Sequence, residues 1–136
     1  MDVSKILKFA FVTSVVIYGV VGVLLAGAPD WGRGLLPEPP ASPALLGVFL
    51  FLSLATWAAG MVAGRISAPP AGMALGSGGA PWGRTRFILA AALIEAGAIF
   101  GLVLSALAKD SRFAIAAAAV SAVLLLVTPA SDGAGA

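Results

Sequence analysis

The stretch LIEAGAIFG, residues Leu93–Gly101, places one carboxylic acid, Glu95, within an otherwise apolar run. That run extends from about residue 87 to 108, which is enough for an α-helix to cross the ~30 Å hydrocarbon core of a bilayer. A charged side chain near the middle of such a helix costs roughly 2.5–3.5 kcal/mol on insertion scales. Ionisable residues at this depth are rare for that reason, and they usually have a function. The stretch therefore predicts a membrane helix with a candidate functional acid.

The composition of the whole chain is that of a membrane protein. Of its 136 residues, 60% are hydrophobic and 10% are charged, and the mean hydropathy is +1.06. Soluble domains have only about 45–50% apolar residues. Long apolar runs take up most of the chain and leave too little for a separate soluble domain. We therefore expect a single all-α integral membrane domain over residues 1–136, in a bacterial-type inner or plasma membrane.

Four transmembrane helices are predicted, each from an apolar run without an internal proline. The first run has the basic start of a signal peptide, but it is longer than the usual run of about 7–15 apolar residues, so we expect it to remain as an anchor. The last run is short and alanine-rich, and Pro129 ends it. Pro- and Gly-rich segments at 29–43 and 65–86 predict mobile loops. The predicted spans cover about residues 6–28, 44–64, 87–108 and 113–127.

The distribution of basic residues predicts the orientation of these spans. Cytoplasmic loops of membrane proteins carry an excess of Lys and Arg. One side of the predicted membrane domain has Lys5, Lys8, Arg65, Arg84 and Arg86, and the other has Arg33, Lys109 and Arg112. We therefore expect both the N-terminus and the C-terminus to be cytoplasmic.

Several classes of function are excluded by the residues that the chain lacks. It contains no cysteine and no histidine, which removes disulfides, thiolate metal sites and imidazole chemistry. One acid without a nucleophile, a metal ligand or a positioned base makes no catalytic constellation, so we expect no enzyme, no metal and no cofactor. The net charge of +2 is small and scattered, whereas nucleic-acid binding needs clustered basic residues.

Glu95 needs a partner within the membrane, and the sequence offers hydroxyl groups rather than cations. No Lys or Arg lies near the middle of any predicted span, so we expect the acid to be neutral and hydrogen-bonded at rest. Thr56 on the second span is the best candidate by depth, and Thr13 on the first is another. Glu95, Thr56 and Thr13 together form the predicted ion-binding set. The other hydroxyls at similar depth are Ser14 and Ser53.

Small residues at every fourth position predict close helix packing. The third span has Gly97, Gly101 and Ser105 at this spacing, and the second has Thr56, Gly60 and Gly64. Such faces let membrane helices approach closely, so we expect the second and third spans to form a compact pair. At about 100° per residue, the Gly97 ridge lies to one side of Glu95. The acid is therefore free to face another partner or lipid.

The segment Arg86–Leu107, RFILAAALIEAGAIFGLVLSAL, resembles the acid-bearing helix of the c subunit, or proteolipid, of rotary F- and V-type ATPases. The likeness lies in an alanine-rich lead, then Glu95 with Ala96, and then Gly101 followed by leucine and valine. In that family the glutamate binds and releases the transported ion, so the resemblance implies this role for Glu95. Sodium-binding members usually place Ser or Thr directly after the acid. Ala96 at that position implies a proton.

A faint internal repeat gives the resemblance a second aspect. Residues 13–26 align without gaps on residues 95–108, with Ile, Gly, Val, Leu and Ala at equivalent places. Thr13 then occupies the position of Glu95. The proteolipids of V-type ATPases are duplicated hairpins in which one copy has lost its acid, so the resemblance implies a similar origin for Thr13.

Three functions remain open from the sequence. The first is a small multi-pass subunit whose Glu95 binds or exchanges a proton within a larger membrane complex. The second is a structural or accessory subunit that packs against partner helices while Glu95 only forms a hydrogen bond. The third and least favoured is a small proton-coupled exporter of the multidrug type. In the first two cases the expected partners are the lipid bilayer and other transmembrane helices of a homo- or hetero-oligomer.

Overall fold

The computed structural model describes residues 3–26, 42–66 and 82–129, and these form four α-helices. No strand occurs among them, which confirms the predicted four-helix, all-α fold. Residues 27–41 and 67–81, which include the greater part of the predicted loops 29–43 and 65–86, lie outside the described residues. The helices are α1 Val3–Ala26, α2 Pro43–Ala63, α3 Trp82–Ala108 and α4 Arg112–Val127.

The helix boundaries follow from local residue chemistry. α2 begins at Pro43, directly after Ser42, whose hydroxyl accepts a hydrogen bond from the backbone N–H of Leu45 at 3.4 Å. Proline suits the first turn because that turn has no partner for its N–H. α3 begins at Trp82, ahead of the predicted start at residue 87. The extra turn contains Arg84 and Arg86, so apolar composition marks the part of the helix in hydrocarbon and misses its polar beginning.

The helices are those of an integral membrane protein. Among the described residues, α1, α2 and residues 83–108 of α3 are long and apolar enough to cross a bilayer. α4 is apolar but has 16 residues, which gives a length of about 24 Å at 1.5 Å per residue. It is therefore shorter than the ~30 Å hydrocarbon core, in line with its short apolar run in the sequence.

α3 is the central helix of the bundle. It packs against each of the other three, most extensively against α2, whereas α1 and α2 share no contact within the described residues. α1 also packs along α4, and α2 touches α4 only slightly. Within the described helices, the acid-bearing helix thus has a neighbour on three sides, and the gap between α1 and α2 leaves its fourth side open.

The two ends of the described chain lie at the same end of the bundle. Near the start of α1, the Lys8 ammonium group donates to the carbonyls of Leu126 (2.7 Å) and Thr128 (3.1 Å) at the end of α4. At the same end, the Arg86 guanidinium donates to the Ile66 carbonyl, just past α2, at 3.1 Å. The Leu126 carbonyl is one of those that a helix C-terminus leaves without an intrahelical partner, whereas the Ile66 carbonyl lies three residues past the end of α2.

Small side chains bring α4 against α1 and α3. A Cβ atom added at Gly22 would overlap Ala114, one at Gly101 would overlap Ala117, and one at Gly19 would lie 2.9 Å from the Ala118 Cβ. Alanines of α4 therefore occupy the space that glycines leave on both neighbouring helices. In lipid, where helix association depends on close packing rather than on hydrophobic transfer, such contacts hold a bundle together.

The turn between α3 and α4 is closed by three hydrogen bonds. Lys109 has a φ of 57°, the left-handed conformation that ends many helices, and the Asp110 N–H donates to the Ser105 carbonyl at 3.2 Å. The Ser105 hydroxyl donates to the Asp110 carbonyl at 2.6 Å. The Asp110 carboxylate accepts from the Arg112 N–H at 2.9 Å, which caps the start of α4.

Candidate functional site

Glu95 is the middle residue of the 27-residue helix α3. Its side chain is half-buried. Of its neighbours on the same side of the helix, Ala91 and Ala98 are buried, whereas Ala92 and Ile99 are exposed. The acid therefore lies on the border between the core and the surface that faces lipid.

Tyr18 of α1 provides the hydrogen-bond partner of the acid. Its phenol oxygen donates to Oε1 of Glu95 at 3.0 Å. Tyr18 is the only tyrosine in the chain, and a buried phenol usually finds such a partner. The bond joins α1 to α3 at the middle of the membrane domain.

Thr13, predicted to contribute to the same site, lies elsewhere. Its hydroxyl is exposed and donates to the Phe9 carbonyl of its own helix at 2.8 Å. The level of α1 relative to α3 is given by Phe11 and Phe87, whose rings pack edge to face with their centroids 6.5 Å apart. Since α1 and α3 run in the same direction, Thr13 is level with about residue 89, more than one turn from Glu95.

Thr56 has the depth that the sequence indicated, but its helix lies on a different side of α3. The neighbouring Trp57 packs at Gly97, which is about 200° around the helix from Glu95 at 100° per residue. The Thr56 hydroxyl donates to the carbonyls of Leu52 (2.9 Å) and Ser53 (3.0 Å) on its own helix. A hydroxyl within a helix commonly bonds to its own backbone in this way. Thr56 is not the hydrogen-bond partner of Glu95.

A second set of hydrogen bonds meets α3 one residue before the acid. The indole N–H of Trp57 on α2 donates to the hydroxyl of Ser121 on α4 at 2.8 Å. That hydroxyl in turn donates to the carbonyl of Ile94 at 3.2 Å. Ser121 and Ile94 are fully buried, so these bonds replace water that the site excludes.

Gly97 makes room for this arrangement. A Cβ atom at Gly97 would overlap the indole ring of Trp57. The residues from Ile94 to Gly97, here named the acid turn, are therefore met by a polar side chain from each of the other helices. Tyr18 comes from α1, Trp57 from α2 and Ser121 from α4.

The other predicted packing residues of α3 have different neighbours. Gly101 lies against Ala117 of α4, and Ser105 is buried and bonded to the turn after α3. The ridge that starts with Gly97 therefore begins on α2 and continues along α4. It does not pack along α2 for its whole length.

The predicted small residues of α2 do face α3. A Cβ atom at Gly60 would lie 2.8 Å from Cγ1 of Ile94 and 3.0 Å from the Ala90 carbonyl oxygen. Gly64 is the C-cap of α2, and its nearest atom on α3 would be the Cβ of Ala90 at 3.7 Å. The approach of the two helices is thus closest at Gly60.

The sequence did not predict three residues of the site: Tyr18, Trp57 and Ser121. A signal exists for Tyr18, because tyrosine favours the membrane interface and here stands well inside an apolar span. Trp57 is similarly placed within α2. Both have an apolar ring with one polar atom, so each can reach across a helix interface where a threonine cannot. For Ser121, one hydroxyl in an alanine-rich helix gives no such signal.

The acid is not part of a larger acidic cluster. Among the described residues, no group of three or more acidic side chains comes together that could hold a metal ion. Comparisons with models of known protein families, with characterised proteins and with solved structures gave no match.

Proposed function

We propose that this chain is a multi-pass membrane subunit in which Glu95 binds and releases a proton within a larger membrane assembly. The observation that carries the proposal is the position of the acid: mid-helix, at the edge of the helix bundle, and hydrogen-bonded to the phenol of Tyr18. The proposal agrees with the resemblance of this helix to the acid-bearing helix of rotary proteolipids.

The surroundings of Glu95 suit a neutral acid at rest. A carboxylate has acceptor sites for several donors, and the structure gives it one neutral donor. Along α3 the flanking cations Arg86 and Lys109 are roughly 13 and 21 Å away at 1.5 Å per residue. A partner or water would therefore supply the further hydrogen-bond donors that an ionised carboxylate accepts from.

Tyr18 suits both forms of the acid. A phenol hydroxyl donates to an ionised carboxylate and also accepts from a protonated carboxyl group. The pair can therefore stay in contact while the proton leaves and returns. Ala96 adds no oxygen next to the acid, so a proton is a better occupant than a metal cation, which needs several oxygen ligands.

The open side of α3 gives the acid access to a partner. We name the exposed residues Ile88, Ala92 and Ile99 the open face, since they lie on one side of α3. Glu95 borders this face on the side of α1. A transmembrane helix of another subunit, in a homo- or hetero-oligomer, would reach the acid from here.

A lipid-soluble carbodiimide tests the proposal, since it adds to a protonated carboxyl group and rearranges to a stable N-acylurea. In membranes that contain the full chain, we expect one label on Glu95, lost in Glu95→Gln and slowed as the pH of the medium rises. Peptide mass spectrometry locates the label. Labelling that is the same in Glu95→Gln, or that does not depend on pH, would rule out proton exchange at this residue.

A structural subunit is the second candidate, and the Tyr18 bond itself favours it. A neutral Glu95 that only ties α1 to α3 would need no further partner. Glu95→Gln keeps an acceptor for the phenol, so a purely structural role predicts normal assembly and activity of the complex with this variant. Proton exchange predicts normal assembly with lost activity.

A further inference from the structure

Ser121 lies on α4, far along the chain from Glu95, yet it is bonded to the peptide group that leads into the acid. The geometry points to Ser121 as a positioning residue for Glu95, which it orients through the Ile94 carbonyl with the help of Trp57. This inference rests on the proposed proton exchange at Glu95 and names the device that controls it.

The hydroxyl of Ser121 both accepts and donates a hydrogen bond. It accepts from the Trp57 indole N–H at 2.8 Å and donates to the Ile94 carbonyl at 3.2 Å. A hydroxyl has one hydrogen to donate, and the incoming indole N–H directs that hydrogen away from α2 and toward α3. Trp57 therefore determines which way the Ser121 hydroxyl points.

The Ile94 carbonyl is directly connected to the backbone of the acid. It belongs to the peptide group that joins Ile94 to Glu95, so a shift of this carbonyl would change the backbone at Glu95 and with it the position of the carboxyl group. In a helix each carbonyl accepts from the N–H four residues later, and its second lone pair remains free. Ser121 takes that second lone pair and holds the acid turn from the buried side.

Tyr18 holds the acid turn from the other side. Its phenol reaches the carboxyl group itself, so the two contacts act on the same residue from α1 and α4. Tyr18 is the titratable group that faces Glu95 across the interface. α2 has no ionisable side chain, and the only one on α4 is Arg112, at its first residue. A change in the orientation of the acid turn would therefore alter the Tyr18–Glu95 hydrogen bond before other contacts of the acid.

The experiment is a double-mutant cycle on the rate of carbodiimide labelling of Glu95, with the full chain in lipid vesicles across a pH series. The variants are Tyr18→Phe, Ser121→Ala and the double variant. We expect each single variant to change the labelling rate about threefold or more, in the same direction, which is the size of coupling typical for residues in one network. We expect the double variant to differ little from Tyr18→Phe alone.

Ser105→Ala is the matched control. Ser105 is also a fully buried serine at the α3–α4 interface, and its hydroxyl bonds to the Asp110 carbonyl in the turn. Ser105→Ala removes a serine-to-carbonyl hydrogen bond of the same kind, although a part-buried one, and leaves the acid turn untouched. We expect its labelling rate and pH profile to match those of the wild type.

Trp57→Phe provides a second, milder variant, because it removes the indole N–H and keeps an aromatic ring. We expect a change in the same direction as Ser121→Ala but smaller, and this variant decides the matter if Ser121→Ala does not fold. An unchanged rate in the folded variants, or effects of Ser121→Ala and Tyr18→Phe that simply multiply, would overturn the positioning role. Wild-type protein without Glu95-dependent labelling would instead contradict the proposed function itself.

Discussion

At the scale of single residues, hydrogen atoms on glycine decide how closely the helices approach. A Cβ atom at Gly101 would overlap the Cβ of Ala117. It would also lie 3.6 Å from the Ala117 Cα and from the Phe113 carbonyl oxygen. The contacting atoms are an alanine Cβ and backbone atoms, so none of them can move aside as the end of a flexible side chain could. Gly47 on α2 is the opposite case, since nothing lies within 4 Å of an added Cβ atom.

These two glycines allow a matched test. We expect Gly101→Ala to lower the free energy of unfolding by about 1–3 kcal/mol, the usual cost of overpacking. We expect Gly47→Ala to be neutral or to stabilise by up to about 1 kcal/mol, because alanine favours helix more than glycine does. Helicity followed by circular dichroism during titration with a denaturing detergent measures both. Equal stability of the two variants would mean that α3 and α4 are not in this close contact.

The depth of Thr56 could be predicted from the sequence, but the depth of Thr13 and the direction of both side chains could not. Thr56 and Thr13 were chosen because their predicted depth is near that of Glu95. A short hydroxyl within a helix bonds to its own backbone, as both do here. Tyr18 succeeds because a phenol is long enough to reach the neighbouring helix. That choice depends on helix rotation, which a nearly uniform apolar sequence hardly specifies.

At the scale of helices, the end of α4 depends on a side chain of α1. The Lys8 ammonium group donates to two carbonyls there, which have no intrahelical partner. A cation is also favoured at a helix C-terminus by the helix dipole. The last turn of the shortest helix is thus fastened to the first turns of α1.

Lys8→Met tests this connection, because it keeps the length of the side chain and removes its charge. Hydrogen bonds that involve a charged group contribute about 1.5–3 kcal/mol, so we expect faster amide hydrogen exchange in residues 124–128 of Lys8→Met. Lys5→Met, at an exposed lysine near the start of the same helix, is the control and should exchange like the wild type. Equal exchange in the two variants would show that the carbonyls do not need Lys8.

The existence and order of the helices could be predicted from apolar length alone, and the prediction is confirmed. The boundaries were less accurate where polar residues take part, as at the beginning of α3 with Arg84. The internal order of packing was not predictable in the same way. The ridge from Gly97 to Ser105 was assigned to α2, but most of it meets α4 and the following turn, since small residues mark a close approach and do not name the neighbour.

At the scale of the whole molecule, charge is divided between the two ends of the bundle. Lys5 and Lys8 at the start of α1 lie at the same end as Arg84 in α3, because the Phe11–Phe87 and Tyr18–Glu95 contacts show that α1 and α3 run in the same direction. Arg65, after α2, lies at this end too, since Arg86 contacts the neighbouring Ile66. Lys109 and Arg112 lie at the opposite end. The positive-inside rule therefore predicts the larger group to be cytoplasmic.

The absence of cysteine from the sequence makes this orientation easy to measure. In intact cells, we expect Arg112→Cys to react with a membrane-impermeant thiol reagent. Lys5→Cys, Arg65→Cys and Arg84→Cys should react only after the membrane is opened. Reaction of Lys5→Cys and Arg84→Cys from opposite sides would contradict the common end of α1 and α3, and reaction of both from outside would reverse the orientation.

The residues around the acid turn are synthesised at different times. Tyr18 is made 77 residues before Glu95 and can meet the acid as soon as α3 enters the membrane, whereas Ser121 follows Ile94 by 27 residues. At roughly 5–20 residues per second, these residues take about one to five seconds to make. During that interval the nascent chain contains Glu95 and Tyr18 but lacks Ser121, which orients the acid. A chain cut short before α4 would keep this immature state permanently.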